Sequence, residues 1–324
     1  MSKDHYVAQT YLKQFGDSSA GGMLHAYRKP DGISFDCWPK DVCHEWDGDR
    51  NPFLAYPELL GTLRSIFEPQ WNMSVANILT GSTQDKLVVA SYMANMMVCV
   101  PAWQRVGSEA VSRQTTGALS FEKQMREKHE ALEDFPAEAV DMLASGKLKM
   151  VTEPDYVKAL ATRHLMDYTW LTYNIDWIIL ENDTPQGFLT SDNPVAMDNS
   201  GAIGAPVFRY MPITPALCLS VKYDPRFHHL AKLDPARLAE EFQRPPTGTV
   251  SRSKVASSAV RELNKLFIQS AESLVFSAQQ FEKLPALVRK YGKYRLESEH
   301  VEFPGEEDNS RYLGEIIRVR ERSA

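Results

Sequence analysis

Cysteine is scarce, with four residues (Cys37, Cys43, Cys99, Cys218) in 324 and none spaced as CxxC. That excludes a zinc knuckle, a thioredoxin-like redox motif and a dense disulfide framework. Cys37 and Cys43 stand near His44, but no second Cys/His pair accompanies them, so free thiols in a reducing compartment are the simpler reading. Basic residues are not in excess either. The 36 Lys and Arg against 42 Asp and Glu leave a formal net charge of -6, which argues against broad electrostatic binding of nucleic acid, because that affinity comes from neutralising phosphates. A local basic patch stays open. Long apolar runs are also missing. Leu87 to Gln104 carries no charge, yet Ser91, Asn95 and Pro101 interrupt it, and the stretch before the proline has the length of a buried core helix rather than a bilayer span. The opening MSKDHYVAQ has no apolar run, hence no signal peptide. Together these absences predict a cytoplasmic chain with no membrane partner.

Catalytic templates are absent as well. No GxGxxG follows a strand, and neither GxxxxGK[ST], HExxH, GxSxG nor a kinase signature set occurs. Of eight histidines only His228 and His229 are adjacent, in a polar turn-like stretch better read as a solvated loop than a metal site. His164, on an apolar helical stripe, reads as a satisfied core histidine.

What is present is ordinary globular composition, 43% hydrophobic and 24% charged, enough for a substantial core. A short extended entry at His5 to Val7 leads into a small helix with Ala8, Tyr11, Leu12 and Phe15 on one face and Gly16 as its stop. MLHAYRK and GISFDCW flank Pro30-Asp31-Gly32 as a hairpin. Helical spacing then dominates. One helix begins near Pro57, and another begins at Ser82 with Asp85 as a box-like cap and ends at Pro101. A polar helix is expected over residues 108–133. A further helix after Pro154 has the stripe Val157, Leu160, Ala161, Leu165, Tyr168 and Leu171. From IDWIIL onward the pattern turns to strands. IDWIIL and FLTSDNPV, separated by Thr184-Pro185-Gln186-Gly187, read as a hairpin, and RYMPITP and ALCLSVKYD as further strands. Residues 243–253 read as a loop, Lys254 to Ser270 as a helix, and LVFSA and LGEIIRVRE as closing strands. Strands do not alternate regularly with helices, which argues against a doubly wound sheet. The expectation is therefore one α+β domain over residues 1–324. A mainly helical half (1–172), with its short hairpin, packs on a mainly antiparallel sheet from a strand-rich half (173–324) that carries one long helix.

Two segments, HYVAQTYLKQF at residues 5–15 and FLTSDNPV at residues 188–195, resemble domain-of-unknown-function family 4238. That family opens with a His-Tyr-Val-Pro-Gln-x-Tyr-Leu-x-x-Phe pattern and carries Thr-Ser-Asp-Asn-Pro followed by a Pro-Leu-Ser-Pro-like strand, here PITP at residues 212–215. Asn264 and the VFS at residues 275–277 resemble its closing helix and strand. Ala8 stands where the family has proline. Met96, Cys99, Val100 and Pro101 occupy the register of the family's Gln-x-x-Arg-Thr-Pro, with Arg105 one turn later as a substitute for the arginine. The resemblance implies a fold and brings no activity.

His5, Glu68 and Asp192 are the candidate catalytic residues, and Gln9, Ser191, Asn193 and Arg105 the candidate binding residues. His5 has the chemistry of a general acid/base near neutral pH. Asp192 at a strand end offers a metal or substrate what it needs, but an Asx turn explains it equally well. Three readings follow. One is a hydrolase, a metal-assisted phosphoesterase or nuclease, in which His5, Glu68 and Asp192 converge. No motif identifies its divalent metal, so the cofactor stays open. Another is a non-catalytic interaction protein whose marked residues are structural, with no pocket that collects polar groups. The last is a nucleic-acid-binding component of a bacterial mobile or defence element, which the net charge does not support.

Overall fold

The computed structural model describes residues 2–82, 85–126, 137–198, 205–224, 235–304 and 311–322. The chain enters through β1 (Lys3–His5) and a single helical turn, α1 (Gln9–Leu12). The expected hairpin forms as β2 (Leu24–Arg28) and β3 (Ser34–Cys37), with Gly32 at φ 67° in its turn, a backbone region open to glycine without strain. β4 (His44–Trp46) then pairs antiparallel with β1, placing His44 opposite His5.

The helical layer comprises α2 (Leu59–Phe67), α3 (Trp71–Leu79), α4 (Lys86–Cys99), α5 (Pro101–Arg126), α6 (Ala137–Ala144), α7 (Pro154–Arg163) and α8 (Leu165–Asn174). α4 is apolar on every side and is correspondingly buried from Val88 to Cys99 except at Ser91. Asp85 does not cap it, since the carboxylate accepts instead from Asn77 Nδ2 at 2.6 Å. Pro101 ends α4 and also starts α5, where a proline lacking its N–H costs nothing. The two helices meet at 57°, and among the described residues no single helix is long and apolar enough to cross a membrane. The stripe after Pro154 divides at His164 into α7 and α8. That corrects its reading as a core histidine: the ring is 65% exposed and sits 3.3 Å from Asp167.

The strand-rich half contains β5 (Trp177–Glu181), β6 (Thr190–Ser191), β7 (Ala196–Asp198), β8 (Val207–Thr214), β9 (Leu217–Tyr223), a short helix α9 (Pro235–Glu241), and β10 (Val250–Lys254). It continues with α10 (Ser257–Ser270), β11 (Leu274–Ser277), α11 (Leu284–Tyr291), and the long ribbon β12 (Tyr294–Pro304) with β13 (Arg311–Glu321). One five-stranded sheet runs β10-β5-β9-β8-β7, antiparallel except for the β10–β5 pair. A four-stranded sheet, β3-β2-β11-β6, joins the first hairpin to the end of the chain. The fold is α+β with helices mostly in the first half, as the sequence predicted.

Two expected features differ. The IDWIIL and FLTSDNPV strands do not pair as a hairpin, because β5 lies between β9 and β10 while β6 pairs with β11. Part of the expected loop at 243–253 forms β10. Its approach depends on Gly248, since a Cβ there would overlap the Ile175 carbonyl, and Lys86 ties the two backbones by donating to the Ile175 and Gly248 carbonyls at 2.8 and 3.0 Å. The pair His228-His229 lies outside the described residues. Between helices and sheet sits the main core, where Trp71 stacks on Tyr92 at 4.2 Å and Trp177 is 2% exposed.

Candidate functional site

β6 and the turn after it are covered on both faces, so Thr190, Ser191, Asp192 and Asn193 are all buried although successive side chains point opposite ways. Asp192 is 3% exposed. Its Oδ1 accepts from the Glu272 N–H at 2.9 Å, and its Oδ2 from the Ser273 and Leu274 N–H groups at 2.7 and 2.9 Å. These are the amides where α10 turns into β11. The Lys29 ammonium, itself 2% exposed, acts on the same carboxylate and donates to the Gln269, Ala271 and Tyr294 carbonyls. Burial lifts the Asp192 carboxyl to about 6, against the opposing pull of the three N–H groups and Lys29. Burial likewise pushes Lys29 down to about 8. Backbone N–H groups oppose the effect of burial on Asp192, and the Lys29 ammonium donates to backbone carbonyls.

The other marked residues nearby are also engaged. The Ser191 hydroxyl donates to the Asn193 carbonyl at 2.8 Å and accepts from the Asn193 N–H at 3.1 Å. Asn193 Nδ2 donates to the Ser270 carbonyl at 2.9 Å, leaving only its Oδ1 without a partner. Asn264 bridges the Leu189 N–H and the Gly187 carbonyl, each at 2.9 Å. Arg105 makes a two-pronged pair with Glu272 at 2.9 and 3.0 Å and donates to the Leu296 carbonyl at 2.7 Å. It thereby holds the residue whose amide binds Asp192.

His5 occupies a separate cluster. Its Nε2 donates to the Lys40 carbonyl at 3.2 Å, so Nδ1 carries the lone pair and accepts from Gln9 Nε2 at 3.4 Å. Burial, aided by His44, Lys3 and Arg64 and opposed by the hydrogen bond to the Lys40 carbonyl, lowers its pKa. The buried Arg64 donates to the His5 carbonyl, pairs with Asp49 and reaches Glu68 at 3.8 Å. Burial raises the Glu68 carboxyl, with Arg64 opposing. His5 makes no hydrogen bond or ion pair to Glu68 or Asp192; the Asp192 charge acts on Tyr6 and Cys43 instead, helping burial to raise their pKa values. Tyr11 closes the link between the two motifs, its hydroxyl lying 2.8 Å from Thr190 Oγ1 and donating to the Pro212 carbonyl at 2.6 Å. Sequence reasoning missed Lys29, Arg64 and Glu272, because nothing local marks a lysine or arginine as buried. Among the described residues no three His, Cys, Asp or Glu side chains gather to hold a metal ion.

The motif segments end at a common place. A cleft of about 280 Å³ is lined by Gly16, Asp17, Phe188, Pro215, Ser277 and Gln279, among others. These residues end or adjoin the first helix, FLTSDNPV, PITP and VFS. Gly16 is required at the rim, since a Cβ there would stand 2.6 Å from the Gly22 carbonyl. The cleft does collect polar groups, unlike the expectation for a purely structural set. Behind Asp17 lies His25, 5% exposed, with its Nε2 3.0 Å from Asp17 and its Nδ1 2.6 Å from Asp36. Burial lowers the imidazole pKa, but the hydrogen bonds to Asp17 and Asp36 outweigh it and carry the pKa above its ordinary 6.5. A raised folded pKa stabilises fully below the unfolded value and is lost as pH rises through the folded one. Wild-type melting temperature is therefore expected to decline from about pH 6.5 upward, and His25→Gln to flatten that decline in a pH series of thermal melts. Equal slopes in the two proteins would contradict this.

Fold and site together define an α+β protein whose N-terminal segment, Asp192 turn and α10–β11 connection are locked by buried polar groups. The chain belongs to the family described as protein of unknown function (DUF4238), whose model matches residues 3–281. No curated protein and no solved structure shows significant similarity to it.

Proposed function

We propose that the chain is a non-catalytic binding protein. Its motif side chains hold the fold, while the outer ends of the motif segments shape a cleft for a small polar ligand. The observation that carries this reading is the engagement of Asp192 by three backbone N–H groups and Lys29, an arrangement that uses the carboxylate where a metal or substrate would need it free. The cleft suits a polar ligand: Asp17, Ser18, Asn182, Thr184, Ser277 and Gln279 line it beside Phe188 and Phe281, and most of its surface is polar.

The test is a thermal-shift panel of sugars, amino acids and nucleosides on wild type and on Ala278→Trp, which fills the cleft from its wall. At least one compound is expected to raise the wild-type melting temperature and to lose that effect in the variant. The hydrolase reading retains one observation, Arg64 bonded to the His5 backbone carbonyl and 3.8 Å from the Glu68 carboxylate. Divalent-metal-dependent phosphodiester hydrolysis, lost in a folded Glu68→Gln variant, would favour it over binding.

A further inference from the structure

Among the described residues, five buried or half-buried cations have oxygen partners. Lys29, Lys86 and Lys158 each donate to backbone carbonyls, Arg64 pairs with Asp49, and Arg105 with Glu272. Arg209 does not follow the pattern. It lies on β8 between Val207 and Met211, on the face directed at the helices, and pairs across the sheet with Met197 and Val221. Its guanidinium donates to the Met97 sulfur at 3.0 Å and lies among three aromatic rings, with Tyr223 at 4.4 Å, Trp103 at 5.9 Å and Tyr168 at 6.0 Å. Arg209 Nε has no acceptor, and neither has the indole Nε1 of Trp103. No carboxylate pairs with Arg209 among the described residues.

A guanidinium in an apolar layer is costly unless its charge is met. Ring faces and a thioether supply part of that, but they leave N–H donors without oxygen acceptors. The place is rich in donors and poor in acceptors. Arg209 Nε and Trp103 Nε1 are themselves buried, while Arg209 as a residue is half-buried, so a small anion would meet the guanidinium at its outer edge. We propose that Arg209 anchors a binding site for a small organic carboxylate, with Trp103, Tyr168 and Tyr223 flanking it. The fork of a guanidinium matches a carboxylate in charge and geometry. Phosphate, with more charge, is better matched by several cations, and Lys222 points to the opposite face of β8, over Phe208.

This site goes beyond the cleft reading and stands apart from it. The experiment uses the full chain with sodium benzoate, its neutral isostere benzamide, and inorganic phosphate, followed by calorimetry and tryptophan fluorescence. Benzoate is expected to bind saturably and benzamide not at all. Arg209→Gln should weaken benzoate about ten-fold or more, with Arg209→Lys intermediate because the fork is lost. Ala278→Trp should leave benzoate binding unchanged, which separates this result from the fate of the cleft. If the Arg209 variants fail to fold, Trp103→Phe serves instead: benzoate should still bind while the fluorescence change disappears. Absence of saturable benzoate binding, equal binding of benzamide, tighter binding of phosphate, or an undiminished fluorescence response in Trp103→Phe would each overturn the proposal.

Discussion

Asp192→Ala is expected to be the most destabilising single change in the motif set, at about 3–5 kcal/mol. The substitution strips an acceptor from three N–H groups at once and removes the stronger of the two carboxylate charges, Asp192 and Glu272, that act on the buried Lys29 ammonium. Water does not readily replace it at a residue only 3% exposed. At roughly 2 °C per kcal/mol for a chain of this size, the melting temperature should fall by about 6–10 °C. Thermal and urea denaturation of the purified variant read this directly. The effect should reach the start of β11 first, because the lost acceptor organises the Glu272–Leu274 backbone. Lys29→Met should be damaging for the mirror-image reason, leaving Asp192 charged and several carbonyls without their donor.

Arg64→Met is expected to cost about 2–4 kcal/mol, with a more local signature. Arg64 is 7% exposed and is the one side chain that joins the His5 carbonyl, Asp49 and Glu68. Methionine retains the packing of the stem and removes the donors, so Asp49 is left near a buried apolar group. β1 has only three residues and one partner strand, too little pairing to hold itself. Hydrogen exchange should therefore accelerate across residues 3–7 while β8 and β9 keep their protection. Uniform acceleration across the chain would show that Arg64 supports the whole core rather than the entry strand.

Much of the architecture was legible because it is local. The β2–β3 and β8–β9 hairpins follow from short turns between alternating strands, and α10 from its apolar face. What escaped was non-local. The FLTS strand looked like the partner of IDWIIL because they are neighbours in sequence, but its two paired residues bond to β11, more than 80 positions away. No propensity encodes that choice; Asp192 does, by taking the amides at the start of β11. The break at His164 was invisible for a different reason: α7 and α8 both turn apolar residues inward, so the stripe runs on while the backbone does not. The site reading had a similar limit. The motifs marked His5 and Asp192 as worth attention and correctly led to a meeting of the two segments. The contact is made by Tyr11, whose aromatic body suits the core and whose hydroxyl reaches across it to Thr190 and the Pro212 carbonyl.

The same logic separates the motif residues from the places open to a ligand. Asp192, Ser191 and Asn264 are committed to backbone groups and Arg105 to Glu272, whereas the Arg209 Nε has no acceptor and the cleft beside Asp17 leaves space for a ligand. The central claim is that Asp192, held by three backbone N–H groups and acted on by the Lys29 charge, is a structural clasp. A double-mutant cycle of Asp192→Asn and Lys29→Met, followed by urea denaturation at pH 7, tests it most directly. Each single variant should lose about 3 kcal/mol, and the double variant clearly less than the sum, because the second change removes the charge the first left unpaired. An Asp192→Asn protein within about 0.5 kcal/mol of wild type, with additive losses in the double variant, would contradict the account.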